Sequence, residues 1–154
     1  MILVLNNIRS VHNVGSIFRT ADAVGIEKIY LCGYTPAPLD RFGTARKDFA
    51  KVSLGAEKTV PWEQSNSIAR AIELVKSEGC YVVAIEQDKN STSLFQFKKP
   101  KKPLALVLGN EVHGLSKPSL KLCDVILEIP MQGYKESLNV SVAAGVALFL
   151  LGHK

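Results

Sequence analysis

Two glycine-containing turns carry polar side chains placed to do chemistry. The first, residues 109–114 (GNEVHG), follows the apolar run 104–108, and the second, residues 131–137 (MQGYKES), follows the β-branched run 126–130, which Pro130 ends. Ligands of open α/β sheets bind at the carboxyl ends of strands. We therefore predict that the two turns meet in one ligand pocket, where Gly133 permits a positive φ and both Gly109 and Gly133 let the backbone approach a ligand closely.

A strongly apolar helix is predicted directly after the second turn. Asn139 or Ser137 is placed to cap it, and it extends to Leu151 through a run of Val, Ala, Leu and Phe. A helix that is apolar nearly all round must be buried, either inside the domain or against a second subunit. A shorter helix, begun by Lys117-Pro118 and capped by Ser116, is predicted after the first turn.

The elements that must hold these turns alternate between strand and helix. Helical spacing of apolar residues predicts a helix over 14–24 with Asn13 as its N-cap, and Gly25 ends it. Further strands are predicted at 1–5, 27–32 and 81–85, and a further helix runs from Ser65 or Asn66 to Ser77. This alternation predicts a single α/β domain over residues 1–154, with a mostly parallel sheet flanked by helices and Trp62 in its core.

Basic residues indicate a polyanionic partner. The formal net charge is +5, which fits a nucleic acid but also an ordinary basic surface. Residues 34–48 predict an exposed loop, in which Arg41, Arg46 and Lys47 either contact phosphates or are simply solvated. The same two interpretations apply to the stiff connector 97–103, which contains four lysines and two prolines.

The cysteines favour a reducing compartment. Cys32, Cys80 and Cys123 are odd in number and widely spaced, so they predict neither a disulfide framework nor a metal site. The apolar run 142–151 is shorter than the roughly 20 residues that cross a bilayer. We predict a soluble cytoplasmic protein that binds no metal and no membrane.

Three blocks of the sequence resemble one known family. They are NNIRSVHNVGSIFRTADAVG at 6–25, LVLGNEVHGLS at 106–116 and ILEIPMQGYKESLNVSVAAGVALF at 126–149. In this order they resemble the SpoU family of RNA 2′-O-ribose methyltransferases, in the SPOUT (trefoil-knot) class. The resemblance implies a C-terminal trefoil knot, a homodimer packed through the first and last helices, S-adenosylmethionine as cofactor, and tRNA as substrate, with rRNA as the alternative.

The resemblance also implies site residues. Arg19 matches the family's catalytic arginine, and because a guanidinium is effectively always protonated, its safer role is to bind phosphate and stabilise the developing oxyanion. The other matched catalytic positions are Asn13, Glu111, Ser137 and Asn139, where Glu111 would hold Arg19 or the loop that carries it. The matched cofactor-binding positions are Leu108, Gly109, Ile129, Met131, Ser137 and Leu138. Predicted RNA contacts are Arg9, Arg41, Arg46 and Lys47. His12 and His113 are predicted to be turn residues and not bases.

Two other functions fit parts of the sequence. A paralogue that binds RNA without transferring a methyl group would share the fold, although Arg19, Glu111 and Asn139 argue against it. A nucleotide-binding dehydrogenase would need a GxGxxG after the first strand, and the sequence has none there.

Overall fold

The computed structural model describes residues 1–152. Its strands are β1 (Ile2–Asn6), β2 (Lys28–Cys32), β3 (Trp62–Ser65), β4 (Tyr81–Ile85), β5 (Thr92–Ser93), β6 (Leu104–Leu108) and β7 (Val125–Glu128). Its helices are α1 (Val11–Val24), α2 (Lys47–Ser53), α3 (Ala56–Thr59), α4 (Ile68–Ser77), α5 (Lys117–Lys121) and α6 (Val140–Gly152).

All seven strands form one parallel sheet in the order β3-β2-β1-β6-β4-β7-β5. The α/β class and the mostly parallel sheet flanked by helices are confirmed. Because the strands are parallel, all their carboxyl ends lie at one edge of the sheet, which we call the carboxyl edge. Both predicted glycine turns begin there, since they follow β6 and β7.

The alternating side chains of the central strands pack against helices on both faces of the sheet. In β1, Leu3 and Leu5 join the larger core with α1 and α6, whereas Ile2 and Val4 join a second core with α4. This is the period of two that a strand imposes. Strand β6 is buried along its whole length, as its uninterrupted apolar sequence predicts for a central parallel strand.

Helix α1 begins three residues earlier than predicted. Ser10 is the N-cap, and its side chain accepts a hydrogen bond from the Asn13 backbone N–H. The prediction that Asn13 caps this helix was therefore wrong. Its cause is that Val11, His12 and Asn13 form a first turn whose side chains do not follow the apolar spacing of the rest.

Three short elements between β2 and α4 were not predicted. Residues 47–48, predicted to be loop, open α2, and the exposed Leu54 and Gly55 separate α2 from α3 with positive φ angles of 52° and 95°. Strand β3 has only Trp62 as a strongly apolar residue, and its sequence WEQS carries no strand period. Trp62 is half-buried and packs against the larger core, as predicted.

The ends of α6 are both fixed by side chains. Asn139 Oδ1 accepts hydrogen bonds from the Ser141 backbone N–H at 2.8 Å and the Ser141 hydroxyl at 2.7 Å, so the predicted cap is confirmed. At the other end, Lys99 of the basic connector donates to the Leu151 carbonyl at 3.0 Å. A cation at a helix C-terminus is favourable.

The trefoil knot stays a prediction from the resemblance.

Two searches of residues 1–152 bear on partners. No helix in that range has the length and hydropathy of a membrane span. The same residues contain no group of three or more His, Cys, Asp or Glu side chains arranged to hold a metal ion.

The two phenylalanines of the segment after β2 allow a matched test of this packing. Phe49 in α2 is fully buried, and its ring meets Phe18 edge to face at a centroid distance of 5.2 Å. We expect Phe49→Ala to lower the free energy of unfolding by about 3–5 kcal/mol, because it leaves a cavity in the larger core. Phe42, which is 78% exposed, is the control, and Phe42→Ala should change the free energy of unfolding by no more than about 0.5 kcal/mol. Urea unfolding measures both, and equal effects would contradict the placement of α2.

Candidate functional site

A cavity of about 250 Å³ opens at the carboxyl edge. It lies between the turn after β6, the loop after β7 and the residues that follow β4. All six predicted cofactor-binding positions line it: Leu108, Gly109, Ile129, Met131, Ser137 and Leu138. The two glycine turns therefore do meet in one pocket, and Ser137 and Glu111, predicted as catalytic, lie on its wall.

The Glu111 carboxylate connects this pocket to the start of α1. Its oxygens accept hydrogen bonds from the backbone N–H of Arg9 at 2.9 Å, from the backbone N–H of Ser10 at 3.1 Å and from the Asn13 side-chain amide at 3.0 Å. Of the two roles predicted for Glu111, the structure shows the second. It holds the loop that leads into the helix of Arg19, and within residues 1–152 it forms no ion pair with Arg19.

A chain of side-chain amides continues from this carboxylate to α6. Asn13 donates one hydrogen bond to Glu111 and accepts another from the Asn139 amide at 3.1 Å. Asn139 also caps α6, so its structural role and its place beside the cavity coexist. Three segments that are far apart in sequence are thus joined by Glu111, Asn13 and Asn139.

These contacts change the acidity of the carboxyl group. Partial burial acts to raise the pKa of Glu111, but the hydrogen bonds from the Arg9 backbone, the Asn13 side chain and the Ser10 backbone outweigh it. The net result is a pKa below the ordinary value of 4.5. Glu111 is therefore ionised at neutral pH.

The turn after β6 is closed by close backbone contact. A Cβ at Gly109 would lie 2.6 Å from the carbonyl carbon of Gly114, so only glycine allows the two ends of the turn to meet. Asn110 closes the turn from inside, where its Oδ1 accepts from the backbone N–H groups of Val112 at 2.9 Å and His113 at 2.8 Å. We predicted Gly109 for ligand approach, and the structure adds this reason.

The other predicted glycine has a different environment. Gly133 is exposed, nothing lies within 4 Å of the position its Cβ would take, and it does not have a positive φ. Positive φ was therefore the wrong reason for Gly133.

Two pocket residues follow β4 and were not predicted. Glu86 Oε2 accepts from the Leu115 backbone N–H at 2.8 Å, and the Gln87 amide donates to the Glu136 carbonyl at 2.6 Å. Glu86 occupies the space a Cβ of Gly114 would need. Only one signal pointed to them, namely polar residues placed directly after a buried parallel strand. No glycine turn marks that position.

Arg19 lies apart from the cavity. It is exposed on α1 and is not among the residues that line the pocket, whereas Asn13 at the start of the same helix reaches Glu111. His12 and His113 are exposed and are not among the residues that line the cavity.

The four predicted RNA contacts lie at the surface, each in a different setting. Arg9 is exposed next to the Glu111 contact, and Arg41 packs over the Phe42 ring at 4.8 Å. Arg46 pairs with Asp48 at 2.9 Å, so part of its charge is neutralised. Lys47 is exposed at the first position of α2.

The cysteines do not offer a nucleophile. Burial raises the pKa of Cys32 to about 12 and that of Cys123 to about 11, so both thiols are protonated at neutral pH. Burial likewise raises the pKa of Cys80.

Comparison with known proteins gives one consistent result. The model of the SpoU rRNA methylase family matches residues 1–149. The chain is 37% identical over 149 residues to the 23S rRNA (guanosine-2′-O-)-methyltransferase RlmB of Ralstonia nicotianae, which covers 97% of this chain and 57% of that protein. The chain thus spans little more than half the length of this curated relative.

Solved structures agree with the sequence match. The AdoMet-bound rRNA methyltransferase from Sinorhizobium meliloti superposes with a TM-score of 0.89 at 28% identity, over 99% of this chain and 55% of that one. A structure described for the 2-OH methylation of C/U34 on tRNA superposes with a TM-score of 0.80 at 28% identity, over 96% of this chain and 91% of that one.

The lowered pKa of Glu111 makes its contribution to stability depend on pH. A carboxyl group whose folded-state pKa is depressed stabilises the fold above its unfolded pKa, near 4.5, and loses that contribution as the pH falls through the folded value. We expect Glu111→Gln to lower the Tm by about 5 °C at pH 7, because an amide replaces the ionised acceptor of three hydrogen bonds.

At pH 3 the difference in Tm between wild type and Glu111→Gln should shrink. Glu73→Gln, at an exposed position of α4, is the control and should show little difference at either pH. Thermal unfolding followed by circular dichroism measures all three proteins. A gap that is the same at both values of pH would show that ionisation of Glu111 is not its source.

Proposed function

The chain belongs to the SpoU rRNA methylase family, and we propose that it transfers the methyl group of S-adenosylmethionine to a ribose 2′-hydroxyl of structured RNA. One observation carries this proposal. The cavity at the carboxyl edge is lined by all six predicted cofactor-binding positions, and the Glu111–Asn13–Asn139 chain lies beside it. Two relatives support the same reaction: the S. meliloti protein is described as an AdoMet-bound rRNA methyltransferase, and RlmB is described as a 23S rRNA (guanosine-2′-O-)-methyltransferase.

The lining of the cavity fits S-adenosylmethionine. Ile85, Val140 and Ala143 offer apolar surface for an adenine ring, and the two glycine turns offer backbone groups at close range. The Glu86 and Glu128 carboxylates give the lining a negative charge that suits a sulfonium and an ammonium group. When bound, the cofactor would supply an electrophilic methyl group without a metal.

The amide chain would position the ribose. Asn13 and Asn139 each present donor and acceptor groups at fixed orientation, because Glu111 and the α6 N-terminus hold them. Ser137 lies on the wall of the same cavity. Holding the hydroxyl oxygen in line with the methyl group would provide much of the acceleration.

Arg19 would act from a second subunit. In one chain it is exposed outside the cavity, so its proposed contact with an RNA phosphate and the developing oxyanion requires another copy to bring it to the pocket. The exposed surface of α6 supports such a homodimer. Val142 is 50% and Phe149 49% exposed, and both lie on one stripe of the helix with Gly145 and Val146.

The RNA itself is the less specific part of the proposal. The RlmB relative is described as acting on 23S rRNA, whereas the structure matched over 91% of its length concerns tRNA. We propose tRNA as the substrate, with rRNA as the alternative, and Arg9, Arg41, Arg46 and Lys47 as phosphate contacts in a cytoplasmic enzyme.

Arg19→Ala tests the catalytic assignment. We expect it to lower the rate of methyl transfer by about 10²- to 10³-fold, because a charge-stabilising donor is lost, while the Kd for S-adenosylmethionine stays unchanged. The measurement is transfer of labelled methyl from S-adenosylmethionine to unmodified tRNA and rRNA, followed by nucleoside analysis. Arg70→Ala, which removes an exposed arginine from α4 on the other face of the sheet, is the matched control.

Three outcomes of this assay are informative. Label in a 2′-O-methyl nucleoside of one RNA class would establish the reaction and its substrate together. Full activity of Arg19→Ala would remove Arg19 from the mechanism. Cofactor binding by the wild type with no transfer to either RNA would favour the catalytically silent RNA-binding paralogue.

A single charge on the α6 stripe tests the homodimer. Val142→Asp should convert a dimer into a folded monomer and abolish transfer, because a carboxylate would be buried against its copy. Leu74→Asp on α4, on the opposite face of the sheet, should leave the dimer intact. Analytical ultracentrifugation gives the mass of each protein, and a wild-type monomer with full activity would disprove the dimer.

A further inference from the structure

Tyr34 is an exposed residue whose backbone N–H and side-chain hydroxyl both form hydrogen bonds within the protein. The residue is 60% exposed and lies in the turn that follows β2. A tyrosine that serves the core usually buries its ring and leaves the hydroxyl near solvent. Tyr34 is the reverse case: the residue is exposed, whereas its hydroxyl has a protein partner. We propose that Tyr34 is a binding site for an unpaired nucleobase of the RNA, a role that rests on the proposed function.

Two asparagines fix the residue. Asn7 Oδ1 accepts from the Tyr34 backbone N–H at 3.2 Å, and the Asn110 amide donates to the Tyr34 hydroxyl oxygen at 3.0 Å. The second N–H of the same amide donates to the Asn7 carbonyl at 2.9 Å. Asn110 is only 7% exposed, so its amide is held inside the protein and gives the Tyr34 ring a defined orientation.

The backbone is shaped for this contact. Asn7 has a φ of 54°, an uncommon angle for a residue other than glycine, and Gly33 has a φ of 62°. A Cβ at Gly33 would lie 1.9 Å from Asn7 Oδ1. Only glycine at position 33 therefore lets the turn after β2 reach the residue after β1.

The residue after Tyr34 fixes the segment that carries the ring. Thr35 is 3% exposed, and its hydroxyl lies 3.0 Å from the Leu5 carbonyl and 2.7 Å from the Cys32 carbonyl. It also accepts from the Ile8 backbone N–H at 3.2 Å. The segment that carries the Tyr34 ring is thus fixed to the ends of β1 and β2, and the ring would pay little entropy on binding.

One side chain connects the Tyr34 ring to the proposed methylation site. Asn110, which holds the Tyr34 hydroxyl, also closes the turn after β6 and lines the cofactor cavity. Glu111, the next residue, holds the start of α1. A nucleotide whose ribose lies at Asn13 and Glu111 would have its own base, or that of a neighbour, within reach of this ring.

Base stacking suits such a ring better than other ligands do. Every nucleobase has a π face, and stacking on an exposed aromatic side chain contributes to binding of unpaired RNA with little dependence on sequence. The flanking residues are basic: Arg9 follows the Asn7 turn, and Arg41 lies in the same loop as Tyr34. These charges favour a nucleic acid over an apolar peptide.

Photocrosslinking tests the proposal without relying on methyl transfer. The probes are tRNA and rRNA transcripts that contain 5-iodouridine, which forms crosslinks to aromatic side chains stacked on it. We expect a crosslink at Tyr34 in the tryptic peptide 29–41. Tyr34→Phe should keep it, whereas Tyr34→Leu should lose it and raise the Kd for RNA about tenfold or more, with unchanged Tm and cofactor affinity.

Phe95 is the matched control, because it is 57% exposed and follows β5 at the opposite side of the sheet. Phe95→Leu should change neither the crosslink nor the Kd for RNA. Absence of a crosslink at Tyr34 in the wild type, or an unchanged Kd in Tyr34→Leu, overturns the proposed base-binding role of Tyr34 even if methyl transfer is robust. A crosslink at Tyr34 without any transfer would support this base-binding role while the proposed activity fails.

Discussion

The Glu111 carboxylate is the contact on which the rest of the site depends. It joins the turn after β6 to the start of α1 by accepting three hydrogen bonds across about a hundred residues of sequence. A parallel sheet makes this possible, because it brings the carboxyl ends of β1 and β6 to the same edge as direct neighbours. An ionised acceptor with several donors is held more strongly than a neutral one. The loop before α1 and the turn after β6 therefore form one rigid unit.

Asn110 and Glu111 connect that unit to different parts of the fold. Asn110 reaches back toward β1 and β2, where it holds Asn7 and Tyr34, whereas Glu111 reaches toward α1 and, through Asn13, to Asn139 of α6. The cavity at the carboxyl edge lies against the same turn. A disturbance of this short turn would therefore displace the cavity, the Asn13 and Asn139 amides and the Tyr34 ring together.

The sequence predicts those parts of this arrangement that are local. The run 104–108, its glycine turn and the capped α6 all lie within contiguous stretches, and the structure confirms them. Strand β3 was missed because WEQS owes its strand conformation to pairing with β2 at the sheet edge and not to its own pattern. Glu86 and Gln87 were missed for a related reason. They reach the cavity because β4 lies between β6 and β7, an order that no local pattern encodes.

The position of Arg19 links the chemistry of the site to assembly. The cavity wall of one chain contains carboxylates, amides and apolar groups, and the cation that the reaction would use lies outside it on α1. Helices α1 and α6 pack side by side, since the Gly145 face of α6 lies against Thr20, one residue from Arg19. Burial of the Val142 stripe by a second copy would therefore also enclose the surface that carries Arg19. One apolar contact would remove exposed hydrophobic area from water and would also place the Arg19 guanidinium at the cavity. The site would therefore be complete only in the assembled protein.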